Sequence, residues 1–415
     1  MKKVSITALI TTAICSSLYA NDGIELNNAY KVDGDVRVGY VKYDVDNLID
    51  SYGTYFSSKI SLTTPTTNNF FVKTTVAGVT DFGINNPNYE DRNLVFDGNE
   101  KSSFAMLQEL FINYSNKSNT FKIGRQELVT PLVEADDGYF LANSFDAIDY
   151  TNNAINNYTF HLGYFYQMAG VWDSGANGTE FHSMSDASFV DERDKKNANN
   201  SGMFYGAVEY KNDKHQLKIW DYYTKDLYNM FFLEYTFADS SDNFSYETGF
   251  EVVNFKEVGD LASNNYTNIN YSLYSAKFDG SLNNGISFST GATKYTNGEG
   301  TGATLGAWGG FPSYTYGFAY SFFDVASLRD ATIYKLQLSY DLGKLGLDDT
   351  TLTYRYTNYN LNSSYSDSQD YMRLNGVKLT YSSSNGSSLK MIYEDRDLDK
   401  AEDAFAIRII AGYKF

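Results

Sequence analysis

Residues able to make or break covalent bonds are scarce in this 415-residue chain: three histidines, His161, His182 and His215, one cysteine, Cys15, and no G-x-S-x-G elbow. A lipase or protease needs a nucleophile or an activated water with a base beside it. His182 falls in a long polar connection and His215 at a short turn, while His161, beside Gly163 in an alternating segment, reads as a polar lining residue. No enzymatic role is expected. Fixed charge, by contrast, is abundant: 51 Asp and Glu against 33 Lys and Arg leave a formal net charge of −18. The chemistry open to such a chain is electrostatic selection, so the placement of the charges matters more than their number.

The charges are sorted along the chain. Where apolar and polar residues alternate, the polar-face positions carry Arg37, Lys59 and Lys73 near the start and Lys335, Arg355, Lys378, Lys390 and Arg408 near the end. The middle supplies Glu209, Glu234, Glu247 and Glu251, with Lys218 and Lys277 as exceptions. If the first and last segments are neighbours, a basic wall faces an acidic wall across a lumen. Such a field orients a zwitterion, or holds a carboxylate while its ammonium end meets the acids. A slip of one residue in any strand would turn its whole set to the other face.

The elements that must position these walls are strands. Residues 404 to 415 read AFAIRIIAGYKF, and a period of two puts Phe405, Ile407, Ile409, Ala411, Tyr413 and Phe415 on one face. The same apolar face recurs in Phe231, Leu233, Tyr235 and Phe237, in Tyr334, Leu336, Leu338 and Tyr340, and in Leu352, Tyr354 and Tyr356. Eighteen such segments lie between Asp35 and Phe415. Short connections (64–69, 116–119, 153–157, 212–215, 239–243, 283–285, 343–349, 382–387) alternate with longer ones (44–53, 79–105, 126–146, 169–201, 258–270, 297–331, 360–371, 395–404), and 226–229 is a short exception. Asn385-Gly386 reads as a two-residue hairpin turn.

Short turns on one side and long loops on the other, with an even strand number, is the layout of an outer-membrane barrel. The expected fold is all-β: a transmembrane antiparallel β-barrel of about 18 strands, with short periplasmic turns and long extracellular loops. Lipid covers the apolar face, and closure pairs the backbone groups that lipid cannot hydrogen-bond. A soluble β-sandwich is the competing fold. An open barrel of this size needs narrowing, and two connections suit that task. One is 126–146, with Arg125 at its start and Glu127, Glu134, Asp136 and Asp137 within it; the other is 297–331, whose stretch TGATLGAWGGFPSYTYGF is too apolar for water and leaves room for an extra strand near Tyr314 to Phe322.

Composition agrees. Lys2 and Lys3, an apolar run, and Leu18-Tyr19-Ala20 form a leader over residues 1–20, leaving one barrel domain over 21–415 and removing Cys15. Loss of Lys2 and Lys3 takes the formal charge to about −20, which argues against nucleic acid and suits cations. With 37 Tyr and 29 Phe at a mean hydropathy of −0.40, the aromatics must gather at an interface. No later segment is long and apolar enough for a membrane helix. Asp44, Asp46 and Asp50, and the run from Glu394 to Asp403, are acidic surface stretches that would bind calcium weakly at most; no cofactor is expected. Loops such as 169–201 are long enough to act as an adhesin, outward aromatic patches would permit a homotrimer, and lipid with lipopolysaccharide would surround the whole.

At FKIGRQELVTPLVEADDGYFLANSFDA, residues 121 to 147, the chain resembles the OprD-like family of substrate-specific and major outer-membrane porins. Ile123-Gly124-Arg125-Gln126, Thr130-Pro131, Asp136-Asp137 and Asn143-Ser144-Phe145 are similar to that family's inward-folded third loop, and Trp308-Gly309-Gly310-Phe311-Pro312 to its other constricting loop. Phe415 resembles the signal read by the barrel-assembly machinery. The resemblance implies an eighteen-stranded barrel in a Gram-negative outer membrane, a basic ladder opposite an acidic patch, and passive diffusion of small carboxylate-bearing solutes, amino acids or ions. Tyr139 stands where the family pattern has arginine and Ala142 where it has proline. Losing that cation leans the expectation toward cations.

Overall fold

The structure is a computed structural model, and it describes residues 24–26, 30–45, 51–86, 103–136, 140–170, 180–187, 200–263, 269–298, 306–319, 328–364, 369–400 and 402–415. The leader expected over residues 1–20, and Asp46, Asp50, Asp137, Tyr139 and Phe322, lie outside the described residues.

Runs rich in Tyr, Phe, Val, Ile and Thr favour extended backbone because ring-bearing and β-branched side chains pack on a pleated surface. Eighteen long strands result: β1 Tyr30–Val45, β2 Ser51–Thr63, β3 Phe70–Thr80, β4 Ser103–Ser115, β5 Asn119–Gln126, β6 Ser144–Asn152, β7 Tyr158–Ala169, β8 Met203–Lys211, β9 His215–Thr224, β10 Tyr228–Ser240, β11 Phe244–Glu257, β12 Asn270–Leu282, β13 Ile286–Tyr295, β14 Thr332–Asp341, β15 Thr350–Asn360, β16 Tyr371–Ser382, β17 Ser387–Leu398 and β18 Ala404–Lys414. Each pairs antiparallel with the next, and β18 returns to β1, so the sheet closes into a barrel. At the seam Asp35 faces Lys414 and Val45 faces Ala404. Gly34 and Phe415 exchange both backbone hydrogen bonds at 3.0 Å. Only glycine fits there: a Cβ on Gly34 would lie 2.1 Å from the Lys59 carbonyl oxygen and 3.1 Å from the Phe415 ring.

The two faces differ as the alternation demands. Tyr334, Leu336, Leu338, Leu352, Tyr354 and Tyr235 are exposed on the outside, while their neighbours Ser339 and Thr353 are buried within. At the rim made by the turns after β8, β10 and β12, the rings of Phe237, Tyr246, Phe244, Phe278 and Phe288 stack with centroids 5.9–6.4 Å apart. Rings gathered at strand ends form the girdle that sits where hydrocarbon meets headgroups.

Several expectations need correction. The connection expected over 44–53 is shorter, because β1 runs to Val45 and β2 resumes at Ser51; Asp44 lies on a strand and pairs with Lys42 at 2.6 Å. The acidic run from Glu394 is not all surface loop, since β17 continues to Leu398 and Glu394 is fully buried. No extra strand forms among the described residues 306–319. Two short strands were missed, Ile24–Leu26 beside β1 and His182–Ser183 beside β7, because two or three residues carry no readable period. A five-residue helix, Gly259–Ser263, interrupts the connection after β11. The Asn385-Gly386 hairpin is a four-residue turn, closed from Gly386 N to Ser383 O at 3.1 Å. Only Gly386 has positive φ there, +91°, whereas the two-residue type I′ turn that Asn-Gly favours needs it at both central residues.

Candidate functional site

Two loops fold into the lumen and meet there. The first follows β5. Thr130 Oγ1 donates to the Val133 carbonyl at 2.8 Å and accepts from the Val133 N–H at 3.2 Å, so Thr130-Pro131 makes a tight turn. Asn143 closes the loop: its N–H donates to the Ala135 carbonyl at 2.6 Å and its side-chain amide to the Glu134 carbonyl at 2.9 Å. Gln108 on β4 holds the exit by donating to the Ala142 carbonyl at 2.9 Å. Phe140 packs edge-on against Tyr55 of β2, 5.6 Å between centroids. Further along the same strand Lys59 reaches Glu127 at 3.0 Å.

The second loop crosses from β13 toward β14. The Trp308 carbonyl accepts the Glu134 N–H at 2.9 Å, the Trp308 indole donates to the Met184 carbonyl at 2.8 Å, and Val133 bridges to Gly309. The backbones are nearly in contact. Gly309 sits at φ +88°, and a Cβ there would lie 2.2 Å from the Glu134 carbonyl oxygen. Further on, Tyr314 donates from its hydroxyl to Glu234 at 2.8 Å and from its N–H to Ser275 Oγ at 3.2 Å. Burial, then the Glu234 charge and the hydrogen bond it accepts, push the Tyr314 phenol far above its ordinary value, so it stays a donor at any working pH.

Where these loops pass the acidic side of the barrel they leave a cavity of ≈ 280 Å³. Its walls include Thr130, Pro131 and Glu134 from the first loop, Phe311 and Pro312 from the second, and Glu209, Lys218, Trp220, Phe232, Glu234 and Glu251 from β8 to β11. Four carboxylates therefore face one ammonium. Lys218 is committed to Glu234 at 2.7 Å, and Glu209 accepts the Trp220 indole N–H at 3.0 Å. Glu251 is 3 % exposed, and its Oε1 has no hydrogen-bond partner. Burial and the nearby Asp136 raise the Glu134 carboxyl above its ordinary value. Trp220 belongs to a stack with His161 (4.9 Å), Tyr205 (5.8 Å) and Tyr222 (6.0 Å) that presents ring faces beside the acids.

The eight cations of the basic set occupy inward positions, and most are engaged. Arg37 pairs with Asp35 at 3.1 Å, Lys59 with Glu127, and Lys73 with Glu109 at 2.6 Å. Arg355 donates to the Tyr316 and Gly317 carbonyls at 2.7 and 3.0 Å and to Gln337. Arg408 donates to the Ala319 carbonyl at 3.2 Å and to the Tyr43 hydroxyl. Lys378 lies 4.8 Å from the Phe318 ring centre. Lys335 and Lys390 share the inward parity of Ser339 and Ile392. On the acidic side Glu247 is drawn to Lys277, which also meets Asp279 at 2.9 Å, so it stands apart from the cavity.

Of the residues expected at the narrowing, Glu134 reaches the cavity, and Asp136 adjoins it with a positive φ of 40°. Arg125 does not: it forms a fork with Asp146 at 2.9 and 3.2 Å on the outward parity of Ile123, Ile148 and Leu110, and stacks on Phe181 at 3.5 Å. The sequence pattern put Glu394 in a surface stretch, although its partners Phe318 and Ala319 belong to a distant loop, and it did not single out Trp220, whose partners lie on neighbouring strands. His161 meets Thr151 at 3.2 Å and lies on Trp220. Among the described residues no group of three or more His, Cys, Asp or Glu side chains is placed to hold a metal ion.

No protein-family model matches the chain, and no curated protein matches it in sequence. Solved structures do match in fold. Pseudomonas aeruginosa OccK9 (OpdG) superposes with a TM-score of 0.79 at 16 % identity, over 94 % of this chain and 98 % of that one. Pseudomonas aeruginosa OpdK with vanillate gives 0.76 at 15 %, over 94 % and 99 %. Acinetobacter baumannii OccAB4 gives 0.77 at 13 %, over 96 % and 100 %. These neighbours are OprD-like outer-membrane porins, and the chain has their fold: a closed antiparallel barrel of eighteen strands.

Proposed function

We propose that this chain is an outer-membrane porin of a Gram-negative bacterium that lets small hydrophilic solutes and ions diffuse passively, and that its constriction favours cations and ammonium-bearing solutes such as amino acids. The observation that carries the preference is the lumenal cavity, where Glu134, Glu209, Glu234 and Glu251 outnumber Lys218, the one cation among its described lining residues. Carboxylates concentrated beside ring faces in a narrow, low-dielectric passage raise the local concentration of cations. Carboxylate solutes find less support, because Arg355 and Arg408 already donate to backbone carbonyls of the inward loop. The barrel's apolar exterior fits a lipid environment, with lipopolysaccharide or two further copies against it, and the seam at Phe415 fits a role for that residue in assembly.

Planar-bilayer recording across a potassium chloride gradient tests the reading. Discrete ohmic steps with a reversal potential of the cation-selective sign are expected. Absence of steps from a correctly folded barrel would remove the channel, and a chloride-selective potential would remove the cation preference.

A further inference from the structure

We propose that Glu394 is a positioning residue that sets the width of the constriction by latching the second inward loop to the barrel wall, and that Arg355 and Arg408 belong to this latch and not to a free anion track. Glu394 stands on β17, fully buried. Its two carboxylate oxygens accept the successive backbone N–H groups of Phe318 and Ala319, each at 2.6 Å. Consecutive amides converging on one carboxylate form a compact anion nest, and charge-assisted bonds of this kind are among the strongest available to a backbone. The carbonyls of the same stretch go to cations on either side: Tyr316 and Gly317 to Arg355, and Ala319 to Arg408. Four consecutive residues of the loop are thereby held by β15, β17 and β18 together.

The surroundings are shaped for this contact. Glu394 pairs in register with Gly376 of β16, whose missing side chain leaves room for the Phe318 ring: a Cβ there would lie 2.5 Å from Phe318 Cδ2 and 3.0 Å from Glu394 Oε1. A Cβ on Gly317 would lie 2.9 and 3.0 Å from the two Glu394 oxygens and 2.5 Å from Leu374 Cδ1. Arg355 closes the other side, its guanidinium 4.1 Å from the Phe318 ring centre. The latch lies across the lumen from the four-glutamate cavity, yet the loop it holds supplies that cavity with Phe311 and Pro312. Releasing Phe318 and Ala319 frees two guanidinium groups toward the lumen and lets the loop swing out of the passage.

That this widens a pore rests on the porin reading; that Glu394 anchors the loop does not. Cys15 is the one cysteine of the chain, so in a Cys15→Ser background a single introduced thiol reports alone. Ala319 is fully buried, and Ala319→Cys should label slowly with a water-soluble maleimide in the otherwise native barrel. With Glu394→Ala added, labelling should accelerate at least about tenfold, the factor that corresponds to losing one charged hydrogen bond. In bilayers Glu394→Ala should raise single-channel conductance and anion permeability. Glu394→Gln removes the same charge but keeps one acceptor oxygen, and should fall between. Should Glu394→Ala fail to give a heat-modifiable barrel, Gly317→Ala displaces the same loop from the other side and should show the same changes. Unchanged labelling in a folded Glu394→Ala or Gly317→Ala barrel overturns the latch, as does an Ala variant that matches Gln in labelling and conductance. Faster labelling in a barrel that never conducts keeps the latch and overturns the porin reading.

Discussion

Replacing Glu209 with glutamine removes one of the four cavity carboxylates while leaving an amide oxygen to accept the Trp220 indole N–H. The cavity holds ≈ 280 Å³. A sphere of that size has a radius of about 4 Å, and at that distance a unit charge attracts a cation by about 1 kcal/mol in water-like surroundings and about 4 kcal/mol at the effective dielectric of a protein surface. These limits correspond to roughly fivefold and several-hundredfold changes in occupancy. Physiological salt has a screening length of about 8 Å, which places a half-open site near the lower limit. Glu209→Gln should therefore lower the cation-to-anion permeability ratio about fivefold, read as a shift of reversal potential in a salt gradient. Asp221→Asn is the control: Asp221 lies exposed on β9, one residue from inward-facing Trp220 and Tyr222, so its loss changes net charge equally without touching the lumen. An unaltered potential, or equal shifts in both variants, would refute the claim that the cavity carboxylates select ions.

Other outcomes follow from the same contacts. Because burial and the nearby Asp136 raise the Glu134 carboxyl above its ordinary value, its charge is lost on acidification above the pH at which an ordinary glutamate protonates; cation preference should decline there, and Glu134→Gln should remove that part of the decline in a reversal-potential titration. Gly309→Ala must abandon a φ of +88° and the close approach to the Glu134 carbonyl, so it should separate the two loops, raise conductance and cost about 1 kcal/mol or more of thermal stability. Lys73→Met strands the nearly buried Glu109 carboxylate and should cost about 1–3 kcal/mol in denaturant unfolding of the barrel, with little change in conductance. Deleting Phe415 removes a hydrogen-bonded pair at the seam, and pulse-chase heat-modifiability should show slower closure with wild-type conductance once folded.

The alternation of AFAIRIIAGYKF was legible because a lipid-facing strand must put every second side chain outside, and that rule fixed the parity of the basic and acidic positions strand by strand. The rule lapses where the strand leaves the hydrocarbon. Asp44, Asp395 and Asp397 are polar strand residues beyond its reach, so their segments resembled loops although the ladder continues through them. Arg125 misled for a related reason: it follows the Gly124 kink and finds its carboxylate on the outside at the rim, where charge is tolerated. What a lumenal charge pairs with was not legible. Whether Arg355 meets solute or backbone depends on the path of a loop nearly forty residues earlier in sequence, whose glycines and aromatics announce inward folding but not its contacts.

The seam joins Gly34 to Phe415, so the two strands that must meet are separated by almost the entire chain. No fragment lacking β1 or β18 can close the sheet, and every such form presents two unpaired ladders to its surroundings. Closure must therefore await β18, and until then the open edges have to be kept apart from those of other copies.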